Sequence, residues 1–361
     1  MFEIYLPIVQ VNVDIFLLLF LSLLVGVLSG LFGVGGGFLM TPFLIFMGIP
    51  PVYAVPNEVN NILATSVSGS LTHWFKNTLD YKMGFMIMCG GIAGTSLGMM
   101  TFSYFSDIGK ISTIISLLYM NLLAIVGSLM LVDTLRESRK YGKIKKKLHV
   151  HNWFQGLPFR MRFPKSRLYE SAFTPILLGL VVGFVASMMG IGGAFLMVPA
   201  MIYIVGMPVK LIPGTSLFVT IFISAIVTVL HAFNYGSIDL FLVIPLIFGS
   251  IIGVQFGQKL GQYLDGAHLK SLFAILLCFV SIAIAYDSFF REKNELVVKQ
   301  VAKSDLNTLA EFSLKFNNEA PFLYGALAII LAITLGGLTA WVRKIISNIR
   351  NKKLEDIKVT K

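Results

Sequence analysis

Apolar runs of roughly 20 residues recur along this chain, at Val13 to Phe32, Ile111 to Leu131, Leu240 to Gly261 and Phe322 to Trp341. As helix, each is long enough to cross about 30 Å of hydrocarbon. In that solvent every backbone N–H and C=O must be satisfied internally, so only helices or closed barrels can span it. A barrel would show alternating segments of about ten residues, whereas these runs are continuous. The sequence predicts an all-α polytopic membrane protein. Of the 361 residues, 56% are hydrophobic and 13% charged, where a soluble domain has about a quarter charged. That excludes a soluble globular enzyme.

The net charge of +11 is not spread as a polynucleotide groove would need. Eleven of the 29 Lys and Arg lie between Arg136 and Arg167, and seven more between Arg343 and Lys361. Such clustering follows the positive-inside rule, and nucleic acid is not an expected partner. Cys89 and Cys278 sit in apolar runs without metal-ligand neighbours, so no disulfide framework, zinc site or cofactor is expected. No Lys or Arg precedes Lys76, so Val13 to Phe32 lacks the basic flank of a signal peptide and is kept as the first span.

The chain repeats itself. Gly33-Val-Gly35-Gly36-Gly37-Phe-Leu-Met-Thr-Pro42 returns as Gly190-Ile-Gly192-Gly193-Ala-Phe-Leu-Met-Val-Pro199, and His73 returns as His231. Gly90, Gly94 and Gly98 return as Gly249, Gly253 and Gly257. Each half reads as five apolar segments, about 13–32, 38–49, 59–75, 83–103 and 111–132, then 172–190, 194–206, 211–233, 240–263 and 269–290, with one more at 321–342. An odd number of crossings makes the two repeats inverted. The expected organisation is repeat one (1–132), a basic cytoplasmic loop (133–171), repeat two (172–290), an extracytoplasmic linker (291–320), a last span (321–342) and a basic cytoplasmic tail (343–361). The charges place the N-terminus outside and the C-terminus in the cytoplasm of a plasma-membrane protein. The segments 38–49 and 194–206 are too short to span as helix, so part of each must be non-helical or shielded by protein.

Unwound backbone at membrane depth is tolerated where it lines a cavity, and a helix N-terminus beside it suits an anion. The clusters Gly33, Gly35, Gly36, Gly37 and Gly190, Gly192, Gly193 are therefore candidate substrate-binding elements, or else tight turns between packed helices. Neither is a nucleotide fingerprint. The third segment of each half carries a polar stripe at helical spacing: Asn57, Asn61, Thr65, Ser66 and Ser70 in one, and Thr215, Ser216, Thr220, Ser224 and Thr228 in the other. These side chains would replace an anion's hydration shell, or bond their own helix backbone. Glu58 is a weaker member of the same set. His73 and His231 are candidates for proton coupling or interfacial histidines. The Gly-x-x-x-Gly runs read as helix-packing surfaces, and no G-x-S-x-G or H-E-x-x-H signature points to an enzyme.

The paired Gly-x-Gly-Gly-[Gly/Ala]-Phe-Leu-x-x-Pro elements, Gly214-Thr215-Ser216 and the Gly-x-x-x-Gly runs together resemble the TauE/SafE family of sulfite and organosulfonate exporters, also grouped as toluene sulfonate uptake permeases. The resemblance covers roughly residues 15–290. It implies a plasma-membrane secondary carrier, without catalytic residues, for a small sulfur-containing anion such as sulfite or a sulfonate. The lipid bilayer and the anion are the expected partners, and self-association is left open. An anion channel and a membrane-embedded Ser/His enzyme are the rival readings.

Overall fold

The computed structural model describes residues 3–32, 39–139, 159–208, 210–260, 266–290 and 308–359. A hairpin of strands β1 (Glu3–Leu6) and β2 (Val11–Asp14) leads into helices α1 (Ile15–Phe32), α2 (Met40–Phe46), α3 (Pro51–Phe75), α4 (Tyr81–Asp107) and α5 (Ile111–Arg139). A second hairpin, β3 (Arg160–Phe163) and β4 (Leu168–Ser171), leads into α6 (Phe173–Met189), α7 (Ala194–Ala200), α8 (Ile212–Tyr235), α9 (Leu240–Leu260) and α10 (Gly266–Phe290). A π-turn at Met201–Val205 extends α7, and α11 (Thr308–Glu319) and α12 (Pro321–Val359) follow. Among the described residues five helical stretches are long and apolar enough to cross a membrane, Tyr81–Asp107, Ile111–Val132, Ile212–Tyr235, Leu240–Gly257 and Pro321–Ile345.

The bundle encloses polar side chains within an apolar core and turns large apolar side chains outward. Met100, Phe279 and Ile282 expose about 70% of their surface while Asn57, Glu58 and Asn60 expose none. In water that arrangement would be unstable; in lipid the outer side chains meet a solvent like themselves. The chain is a multi-pass helical membrane protein.

The helices interlock between the halves. α1 packs along α9 and α6 along α4, α5 lies against α10, and α3 lies against α8. The glycine runs make the first two contacts. A Cβ on Gly90, Gly94 or Gly98 would overlap the backbone of Ile176, Leu180 or Phe184. Likewise, a Cβ on Gly249, Gly253 or Gly257 would overlap Leu19, Leu23 or Val27. Bare backbones approach closely in lipid by this means, as the spacing predicted.

The direction of travel follows from named contacts. Asn57 of α3 bonds the Ser237 carbonyl just after α8, while a Cβ on Gly214 near the start of α8 would stand 2.9 Å from His73 Cβ near the end of α3. α3 and α8 are therefore antiparallel. The first hairpin sits at the end where α3 begins, through Asp239, and the second at the end where α3 finishes, through Asp80. Thus α1 and α6 enter the bundle from opposite ends. α1 and α3 both start at the first end, and between them Met40–Phe46 is helix, about 10 Å of rise.

Three boundaries differ from the sequence expectation. The basic loop 133–171 loses its first residues to α5 and its last to the second hairpin, and residues 140–158 lie outside the described set. Part of the linker 291–320 is helix α11, and the last span continues as helix through the basic tail to Val359. Hydrophobicity marked where lipid lies, but the helical backbone, once nucleated, carries on into water wherever no breaker intervenes.

Candidate functional site

The two hairpins are anchored in matching ways. Asp80 caps α4, its Oδ1 accepting from Met83 N at 3.2 Å, and its Oδ2 accepts from the backbone and hydroxyl of Ser166. Asp239 caps α9, accepting from Phe241 N at 3.0 Å, and its other oxygen accepts from Ile8 N at 2.9 Å and Val9 N at 3.4 Å. The backbone N–H of Asp80 donates to Thr215 Oγ1 at 3.0 Å, and that of Asp239 to Asn57 Oδ1 at 2.7 Å. Each half's cap is thus locked to the other half's third segment. Burial pushes the Asp239 carboxyl up to about 6, against the pull of the N–H groups of Ile8, Phe241, Val9 and Leu242.

These bonds sort the predicted site residues. Asn57 and Thr215 are spent on the latch: the Asn57 amide also donates to Tyr53 O and Ser237 O, and Thr215 to Leu211 O. Thr65 donates to the Asn61 and Ile62 carbonyls and Thr220 to Ser216 O, so neither hydroxyl proton is free for an anion. This is the back-bonding that hydroxyls adopt inside helices. Asn61 holds Glu58. Ser70 and Ser216 are buried in the same stripes.

Ser66, Ser224 and Thr228 differ. Each is fully buried, and among the described residues none has a hydrogen-bond partner for its hydroxyl; the Asn60 amide and the hydroxyls of Thr174 and Ser237 share that condition. Ser66 falls on the face of α3 that carries Gly69 and His73, and Ser224 on the face of α8 that carries Leu217. Those faces meet, since a Cβ on Gly69 would stand 2.7 Å from Leu217 Cδ1. With α3 and α8 antiparallel, both serines lie about halfway along the pair. The repeat, the packing and the unspent donors converge there.

Gly190, Gly192 and Gly193 end α6 in a left-handed turn, with φ of 73°, 66° and 79°. The turn is packed against α3: a Cβ on Gly190 would lie 3.0 Å from Val55 Cα and one on Gly192 would strike the Ile62 side chain. Its glycines are required by conformation and contact, the tight-turn reading of the sequence. Gly33, Gly35, Gly36 and Gly37 lie outside the described residues. His231 Nε2 stands 3.2 Å from the Ser187 carbonyl with its ring edge-on to Phe102, and His73 Nδ1 meets Thr78 Oγ1 at 2.9 Å near the opposite end. The structure does not bring the two histidines together. Among the described residues no group of His, Cys, Asp and Glu could hold a metal ion.

Sequence reasoning missed the hairpins and Asp80 and Asp239. The signal was present: Pro7 and Pro164 stand at the offset of the two glycine turns, in the turns that follow β1 and β3.

The family model described as Sulfite exporter TauE/SafE matches residues 18–284. The chain belongs to the TauE/SafE family. Its relatives include the probable membrane transporter proteins YjnA and YunE of Bacillus subtilis. YjnA is 29% identical, over 72% of this chain and 95% of that relative, and YunE is 26% identical, over 76% and 98%. The probable membrane transporter protein MJ0441 of Methanocaldococcus jannaschii is 26% identical, over 72% and 91%. No solved structure matches. This TauE/SafE member is a membrane transporter.

Proposed function

We propose that this chain is a secondary transporter for a small sulfur-containing anion such as sulfite or an organosulfonate. The anion binds between α3 and α8 at the level of Ser66 and Ser224, and the two inverted repeats rock to expose it alternately. One observation carries this reading: three fully buried hydroxyls without partners, on Ser66, Ser224 and Thr228. A buried donor left unmade costs about 1–3 kcal/mol, and an anion that enters would recover that cost. The closed contact between Gly69 and Leu217 supports an occluded state, in which access requires helix movement rather than a standing pore.

The enzyme reading is disfavoured by the histidines. His231 Nε2 faces a carbonyl and His73 a threonine at the bundle end, and neither Ser66 nor Ser224 is hydrogen-bonded to either ring, as a nucleophile activated by a base would be. The reading locates the protein in the plasma membrane, with the N-terminal hairpin outside and the basic end in the cytoplasm.

Purified protein in liposomes should show saturable counterflow of labelled sulfite or a sulfonate. The Ser66→Ala/Ser224→Ala double variant should keep its thermal stability while its KM rises about tenfold, the effect of about 1.4 kcal/mol. Counterflow unchanged by the double substitution would refute the site; flux that never saturates would refute the carrier.

A further inference from the structure

Glu58 is fully buried on α3. Both its oxygens accept from Asn61 Nδ2, at 3.3 and 3.2 Å, and Asn61 Oδ1 accepts from Ser250 Oγ of α9 at 2.5 Å. Its position on the helix aims it at the glycine turn between α6 and α7. Val55 one turn before it touches Gly190, Ile62 one turn after it touches Gly192, and the three share a face. Tyr119 of α5, whose hydroxyl donates to Met189 O at 2.6 Å beside that turn, lies within electrostatic reach of Glu58.

Among the described residues nothing cationic answers this carboxylate. No Lys or Arg occurs in α2, α3, α6, α7 or α8. The titratable and charged groups on elements packed against α3 are otherwise Tyr119 and the charged last turns of α5 (Asp133, Arg136, Glu137 and Arg139), His231 and Tyr235 of α8, Asp239 and Lys259 at the two ends of α9, and Tyr324, Arg343, Lys344 and the charged tail of α12, with Tyr53 and His73 on α3 itself. Asp239 is spent on the first hairpin, and His231 rests on Phe102 and a carbonyl. His73, Arg343 and Lys344 gather at the far end of α3, where Lys344 lies over Phe75, about 22 Å from Glu58 along the axis.

An ionised carboxylate in such a place is costly. It would also repel an anion at Ser66, about 12 Å along the same helix, through an interior that screens poorly. An anion at the serines and a charge on Glu58 therefore disfavour one another, so that binding of the anion favours protonation of the carboxylate. We propose that Glu58 is the proton-binding site of this transporter and that its proton crosses together with the anion. The inference rests on the transport reading above and adds the coupling ion and its carrier. On the loading side the carboxylate takes a proton from water as the anion enters; on the release side the anion leaves and the proton follows. The two histidines have no part in this cycle.

The test uses proteoliposomes holding a pH-sensitive dye. In the wild type, an imposed gradient of a sulfonate, the anion of a strong acid that takes up no proton near neutral pH, should move protons in the direction of the anion. Glu58→Gln should keep anion counterflow and lose proton movement, whereas His73→Gln and His231→Gln should keep both. Proton movement that persists in Glu58→Gln, or flux driven by a sodium gradient in place of a proton gradient, overturns the proposal. Absence of anion counterflow in the wild type overturns the transport reading instead. Should Glu58→Gln fail to fold, dicyclohexylcarbodiimide labelling of wild-type protein, located by peptide mass spectrometry, decides. Labelling of Glu58 that is favoured by acid and by bound anion supports the site, and labelling indifferent to both overturns it.

Discussion

Asp239 offers a test of the interlocked fold that needs no substrate. Its carboxyl is fully buried in the turn between α8 and α9, with a pKa raised from 3.8 to about 6 by desolvation. Between those values the folded protein holds a proton that the unfolded chain has released. Stability therefore falls as pH rises through that window and is level above it. A shift of about two units corresponds to roughly 3 kcal/mol, or on the order of 5 °C in unfolding temperature for a chain of this size. Asp239→Asn has no proton to lose; it gives up one of the two acceptor oxygens, a cost that does not vary with pH. Thermal unfolding of both proteins in detergent, from about pH 4 to about pH 7, should show the wild type losing that amount relative to the variant. Other carboxylates titrate equally in both and cancel. Parallel curves would mean that the aspartate is solvated, and the latch between the first hairpin and α9 would have to be abandoned.

Two further outcomes follow from the packing. Gly94→Leu should destabilise by more than about 3 kcal/mol and broaden the size-exclusion profile, because its Cβ would overlap the Leu180 backbone and the helices cannot part without losing their seam. Gly337→Leu, with nothing within 4 Å, should change stability by less than about 1 kcal/mol. Both Gly193→Ala and Gly206→Ala meet positive φ, 79° and 70°, but a Cβ on Gly193 would also strike Val182 while Gly206 is open. Differential scanning should place Gly206→Ala roughly 1–2 kcal/mol below the wild type and Gly193→Ala clearly lower still.

How much of the site was legible depended on whether a residue's role was set by its own helix or by a neighbour. The stripe on α8 could be read from spacing, because helix geometry fixes which of Ser216, Thr220, Ser224, Thr228 and His231 share a face. What spacing could not separate was Thr220, which donates to its own backbone, from Ser224, which has no partner. Asn57 and Thr215 look like substrate ligands in sequence and are bonded to Asp239 and Asp80, residues far along the chain. The hairpins escaped notice because a strand of four residues gives too short an alternation to stand out beside long apolar runs.

The sequence by itself determined the solvent. Runs of apolar residues long enough to cross lipid leave the backbone no choice but helix, and the doubled glycine and proline pattern announced two related halves. The glycine spacings also marked where helices would touch, since only a residue without a side chain lets backbones meet. The tertiary structure decided which helices did so, pairing α1 with α9 and α4 with α6 across the halves. It also decided that Glu58, in sequence one acid among several amides, is fully buried against Asn61 with no cation beside it among the described residues. A charge's surroundings are a sum over elements distant in the chain, and no local pattern carries that sum.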